Sequence, residues 1–201
     1  MKPRLIVEQK LTAFVNRYEI YAVTDDGVKG DMIAFAQQKR LAFKEKVEFF
    51  ADPAKEKLLF TFRAEKVMDV HGKYFVEDTK GNVLGVFKKE FAKSLINSTW
   101  NILDADDRPL LKISESSQFL AAARRFAGWI PFIGELLEIV TTLFRYHFVF
   151  VTQDDNRVGT YTKTTLFFDR YRLDMTNDIF DSQDWRVFAA FAVALDALQS
   201  R

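Results

Sequence analysis

From Val187 to Leu195 the chain runs through Val-Phe-Ala-Ala-Phe-Ala-Val-Ala-Leu without one polar side chain. Ser182 is suited to cap a helix there. Asp184 falls in the first turn, where the helix dipole favours a carboxylate. The pattern predicts a helix over 182–199. A helix that is apolar on every face is buried on every face. At ~1.5 Å per residue it spans about 25 Å, and it is shorter than the ~20 apolar residues of a membrane span. It must therefore be covered all round by the rest of the chain, and a closed sheet does that. A helix with its side chains is about 10–12 Å across. Eight strands enclose too little room for it, and about twelve enclose enough.

The remaining sequence supplies strands of that number. Short apolar or aromatic runs repeat on either side of turns rich in Asp, Asn and Gly. Tyr18–Val23 precedes Asp25-Asp26-Gly27, and Val47–Phe50 leads through Asp52-Pro53 to Leu58–Phe62. Tyr74–Asp78 and Val83–Phe87 flank Gly81-Asn82; Trp100–Leu103 and Leu110–Ile113 flank Asp104 to Arg108. His147–Val151 and Val158–Tyr161 flank Asp154-Asp155-Asn156. Asx side chains cap their own backbone in such turns, and the flanks suit a pleated, half-buried surface. With Leu5–Gln9, Lys29–Gln37 and Phe167–Met175 the count is about twelve strands in a meander. The 201 residues fit one large β domain, 1–201.

One segment departs from this pattern. Ala121-Ala-Ala123 favours helix, and Pro131 after Trp129-Ile130 interrupts it. A helical hairpin insert is expected at about 118–145. Its tip, Trp129-Ile-Pro-Phe132-Ile, is unusually apolar for a turn. The tip either folds over the barrel, covering Phe148–Val151, or contacts a bilayer interface or a partner protein.

The twelve hairpin-connected strands and the apolar terminal helix resemble the tubby C-terminal-like superfamily, and within it the LURP-one-related proteins and their phospholipid-scramblase relatives. The stretches that carry the resemblance are Lys73–Lys89, Thr99–Asp104, Tyr171–Met175 and Asp184–Asp196. The last has an acidic residue before the apolar helix and an Asp near its end. The resemblance implies a mainly β fold: a twelve-stranded closed antiparallel barrel wrapped around the helix. It also implies a non-enzymatic role, with phosphoinositide binding in tubby proteins and lipid movement proposed for scramblases. The 118–145 insert departs from the family pattern.

Residue chemistry points the same way on catalysis. Neither His71 nor His147 has a partner at metal-ligand spacing, and no P-loop, nucleophile elbow or dinucleotide fingerprint is present. Cysteine is absent, which excludes disulfides and thiolate metal sites. Asp104 to Glu115 has the length of a calcium loop but places Arg108 and Pro109 where ligand and glycine belong. Asp174, Thr176, Asp178 and Asp181 alternate oxygens as a hard cation would want, yet without a full acidic loop. No enzyme activity, metal or cofactor is expected.

A net charge of +1 gives no global field for nucleic acid, so an anion site must be local. Three basic clusters qualify. Lys88, Lys89 and Lys93 follow a strand; Arg124 and Arg125 lie on the insert; Lys39, Arg40, Lys44 and Lys46 surround Leu41-Ala-Phe43. Interleaved Glu45, Glu48 and Glu90 also fit an ordinary solvated face. The reading is a binding module that docks on anionic phospholipid or phosphoinositide. Lys88, Lys89, Lys93, Arg124 and Arg125 would hold phosphate, and Trp129, Ile130 and Phe132 would touch the membrane or a partner. The alternative is a scaffold domain that binds a protein through the insert. The N-terminus lacks a secretory h-region, so a cytoplasmic address is expected, peripheral at the membrane in the first reading.

Overall fold

A computed structural model of the chain describes residues 4–11, 15–39, 46–65, 72–90, 99–115, 147–165 and 169–199. Twelve strands follow in order: β1 (Arg4–Leu11), β2 (Val15–Val23), β3 (Lys29–Lys39), β4 (Lys46–Phe50), β5 (Leu58–Ala64) and β6 (Lys73–Asp78). The second half is β7 (Val83–Glu90), β8 (Thr99–Leu103), β9 (Pro109–Glu115), β10 (His147–Val151), β11 (Arg157–Lys163) and β12 (Asp169–Met175). Each pairs antiparallel with its chain neighbour, and β1 pairs with β12, from Arg4 opposite Asp174 to Gln9 opposite Asp169. The sheet is a closed barrel, as expected. Closure leaves no free edge for another chain to extend. The expected helical hairpin at 118–145 lies outside the described residues.

Four of the hairpin turns share one construction. Thr24, Asp78, Asp104 and Thr152 each accept a backbone bond from the residue three positions on: Gly27, Gly81, Asp107 and Asp155. Those four residues have φ between 61° and 86°, the left-handed conformation that Gly and Asp tolerate. The turn then closes one residue later, on the carbonyl of Val28, Asn82, Arg108 or Asn156. Side chains reinforce it: Asp78 Oδ1 accepts the N–H groups of Lys80 and Asn82, and Asp104 Oδ1 those of Asp106 and Arg108. This is a type I turn followed by a left-handed residue, one of the common short hairpin connections.

Two helices follow the last strand, α1 (Asn177–Ser182) and α2 (Trp185–Gln199). The expected single helix from 182 is thus corrected. Ser182 ends α1, its hydroxyl donating to the Ile179 carbonyl. Gln183 is extended, so the chain turns before re-entering helix. Asp184 does the capping: its Oδ1 accepts the Arg186 N–H at 2.9 Å. The shorter helix starts where Trp185 can set its ring edge against Phe60, 5.8 Å between centroids.

Helix α2 fills the barrel, and every residue from Val187 to Leu195 is buried. Phe191 meets Phe87, Trp100 and Phe150 at 5.6, 5.9 and 5.9 Å, all edge-on, the arrangement that aromatic quadrupoles favour. Ala189, Ala190, Ala192 and Ala194 keep the helix slim between these rings. Gly85 serves the same fit: a Cβ there would lie 2.9 Å from Val187 Cγ2. Among the described residues no helix is long and apolar enough to cross a membrane.

Candidate functional site at the barrel mouth

The alternation of connections gives the barrel two unlike ends. The five hairpin turns and α1 sit at one end. At the other, here called the mouth, β1, β3, β5, β7, β9 and β11 finish, and the strands after them begin. Helix α2 runs from the turn end to the mouth.

The interior is apolar along its length but polar at the mouth. Asp196, in the last turn of α2, is 3% exposed. Its Oδ2 accepts the Tyr18 hydroxyl at 2.9 Å and its Oδ1 the Tyr171 hydroxyl at 3.0 Å. Tyr171 stacks on Tyr161, whose hydroxyl bonds the Ala192 carbonyl at 3.1 Å. Gln9 Nε2 donates to Tyr18 Oη at 3.3 Å. Asn16 on β2 and Gln38 on β3 face each other beside Tyr18, at 7% and 6% exposure. Strand alternation sets this face inward, because Asn16, Tyr18 and Ile20 share one side of β2.

Burial raises the Tyr18 phenol well above its usual range, and the Asp196 carboxylate beside it adds to the rise. Folded Tyr18 therefore keeps its proton where an unfolded tyrosine, near pH 10, loses it. The stability it contributes is complete below about pH 10 and declines as pH rises beyond that value. In an alkaline titration the phenolate absorbance belonging to Tyr18, taken as wild type minus Tyr18→Phe, should appear only together with loss of the folded circular dichroism. Ionisation with the barrel intact would contradict the enclosed geometry.

The outer wall carries a basic row that starts at the mouth end of β6 and crosses the middle of β8 and β9. Lys73 on β6 stands opposite Lys88 on β7, Lys88 opposite Asn101 on β8, and Asn101 opposite Lys112 on β9. Their neighbours Tyr74, Phe87, Trp100 and Leu111 point inward, so all four of the row point outward. Lys73 and Lys88 are a non-hydrogen-bonded pair, since the bond runs from Lys89 N–H to the Gly72 carbonyl; such pairs stand closest. Like charges in that position repel, and Lys73 turns its ammonium to Asp107 at 2.9 Å. Asn101 donates to Glu90 at 2.6 Å. Among the described residues neither Lys88 nor Lys112 makes an ion pair.

Lys88 and Lys89 were expected to act together, and the structure parts them. Lys89 lies on the inner side of β7, with its ammonium 5.6 Å from the centre of the Trp100 ring. Lys112 and Lys73 take its place beside Lys88. A sequence reader has the signal in hand, because consecutive strand residues face opposite ways, but the register across β8 is needed to find Lys112. Lys93, Arg124, Arg125, Trp129, Ile130 and Phe132 lie outside the described residues, in the segments that follow β7 and β9 in the chain. In the third cluster Lys46 pairs with Glu48 at 3.0 Å, and Arg40 and Lys44 lie outside the described residues.

At the turn end, Leu59, Phe180, Gln183 and Trp185 line an open depression of about 460 Å³ edged by Asp181, Asp184 and Arg186. Arg186 is engaged, holding Asp184 through Nε at 2.9 Å and through its terminal nitrogen at 2.5 Å. Burial works against the Asp184 charge, but these bonds outweigh it and hold the carboxyl below its ordinary range. Asp174 is held by Arg4 and Arg172 at 2.8 and 2.9 Å, apart from Asp178 and Asp181 on α1. Among the described residues no three His, Asp or Glu converge as metal ligands would.

No curated protein matches the chain. Among solved structures, the X-ray structure of an Arabidopsis thaliana protein aligns over 98% of this chain and 93% of its own, at 12% identity and a TM-score of 0.34. The model of the LURP-one-related family matches residues 32–196, from the start of the β3 core through the α2 carboxylate that the two phenols hold. The chain belongs to the LURP-one-related family.

Proposed function

We propose that the chain is a non-catalytic binding module whose outer wall, over β7 to β9, docks on an anionic phospholipid surface. The observation that carries the reading is the outer row of Lys88, Asn101 and Lys112, with two ammonium groups that no carboxylate neutralises among the described residues. Adjacent strands lie about 4.8 Å apart, so Lys88 and Lys112 start roughly 10 Å apart. Both long side chains reach toward the middle, where one phosphate would be met by two point charges. In sequence, Lys93 follows β7, which carries Lys88, and Arg124 and Arg125 follow β9, which carries Lys112. Lysines near a lipid surface each contribute about 1 kcal/mol of attraction, screened by salt.

Liposome co-sedimentation tests this. The wild-type chain should sediment with phosphatidylserine or phosphoinositide vesicles but not with neutral ones, and less at physiological salt than at low salt. Lys88→Glu with Lys112→Glu reverses two charges and should lower the bound fraction at least about tenfold. Binding that is equal on neutral vesicles, or unchanged in the double variant, would refute the site. Absence of binding to every vesicle would refute the lipid reading and leave a protein partner for the 118–145 segment.

A further inference from the structure

The depression at the turn end holds about 460 Å³. Sites for small organic ligands run from roughly 300 to 1,000 Å³ and combine apolar walls with a few polar groups. This one has that make-up. Its floor comes from three elements: Leu59 on β5, Phe180 on α1 and Trp185 on α2. Core packing holds the floor in place, since Phe180 stacks on Phe188 at 5.6 Å and Trp185 meets Phe60 at 5.8 Å. Leu59 and Trp185 are only half-buried, so apolar surface is left open to an occupant.

The charges at the edge decide the sign of that occupant. The start of α2 is a place for an anion, but Asp184 already fills it. Its Oδ1 accepts the Arg186 N–H, and the Arg186 guanidinium donates twice to the same carboxylate. Asp78 lies near enough to Arg186 to act on its charge as well. Of the three charged lining residues, Asp184 and Arg186 thus neutralise each other, which leaves Asp181. Asp181 is exposed, and among the described residues its carboxylate has no ion pair. Helix α1 ends beside it with no basic residue in its last turn. Among the described residues no backbone N–H from beyond α1 reaches the carbonyls of Phe180, Asp181 or Ser182.

We propose that this depression binds a small organic cation, an ammonium group carried on an aromatic body. The ammonium meets the Asp181 carboxylate and the open carbonyls at the end of α1, and the ring covers Leu59, Phe180 and Trp185. The indole face adds its own attraction for the cation. An anion would meet Asp181 and gain nothing from Arg186, which is engaged. The site lies at the end of the barrel opposite Asp196 and uses no residue of the outer lysine row.

The test is an NMR titration of isotope-labelled full-length chain with phenethylamine. 2-Phenylethanol is the uncharged control and 3-phenylpropanoate the anionic one. Phenethylamine should give saturable shifts at the Trp185 indole N–H, identified by its loss in Trp185→Phe, and at the backbone amides of Asp181 and Gln183. A ligand of this size should reach half-saturation by about 10 mM. The alcohol should bind at least about threefold more weakly, as expected for loss of one exposed charge pair, and the carboxylate more weakly again. Asp181→Asn should bring phenethylamine down to the affinity of the alcohol, and Asp181→Lys should abolish its binding. Both variants alter an exposed side chain, and circular dichroism checks that the barrel is intact. No half-saturation by about 10 mM, equal affinity for amine and alcohol, shifts centred away from the depression, or binding that survives Asp181→Lys would overturn the proposal.

Discussion

Phe191→Asp should leave no cooperative thermal transition at all. Phe191 is 1% exposed at the centre of α2, ringed by Phe87, Trp100 and Phe150. Removing a buried phenylalanine costs about 3–5 kcal/mol by itself. The carboxylate that replaces it enters a site walled by aromatic rings, at a penalty of several kcal/mol more. A whole domain has about 5–15 kcal/mol in hand, so the variant has little or no margin left. Far-ultraviolet melting and near-ultraviolet aromatic signals read the result directly. Phe191→Leu is the companion measurement: it stays apolar, should fold, and should melt somewhat below wild type for the volume it loses. A Phe191→Asp protein with wild-type melting would mean that α2 is not enclosed, and the barrel-around-helix architecture would be wrong.

Much of that architecture is legible in the residues, and the reasons are local. A turn such as Asp78 to Asn82 writes its geometry into the chain, because only a few residues accept φ near +86° or offer a side-chain oxygen two residues back. The helix announces itself through nine apolar residues with no solvated face. What depends on register is harder to read. Lys88 and Lys112 share a row only because β8 sets both against Asn101. Asn16 and Gln38 meet only because β2 and β3 align there. The capping residue was misplaced by two positions for a different reason. Ser182 and Asp184 are both good caps, and the choice between them is made by Trp185 reaching Phe60 rather than by propensity. The buried carboxylate is the least visible of all: Tyr18 and Asp196 are separated by 178 residues in sequence.

That carboxylate is where the second large effect is expected. An Asp in the last turn of a helix opposes the helix dipole, whose negative end lies there, and at 3% exposure Asp196 has little water to solvate it. The Tyr18 and Tyr171 hydroxyls compensate, one to each oxygen. Hydrogen bonds to a charged group are worth about 1.5–3 kcal/mol each. Tyr18→Phe and Tyr171→Phe should each destabilise the barrel by that amount, and together by about 3–5 kcal/mol, the cost of stripping partners from a buried ion. The loss differs from ordinary cavity formation because each substitution deletes one oxygen and leaves the ring in place. A double-mutant cycle separates the two causes. In an Asp196→Asn background the acceptor is neutral, and each Tyr→Phe change should fall to about 1 kcal/mol. Denaturant titration of the single and combined variants gives the coupling. A cost that stays the same in both backgrounds would show that the phenols act by packing alone. A cost that shrinks identifies the Asp196 charge as what ties the end of α2 to β2 and β12, fixing the helix at the mouth.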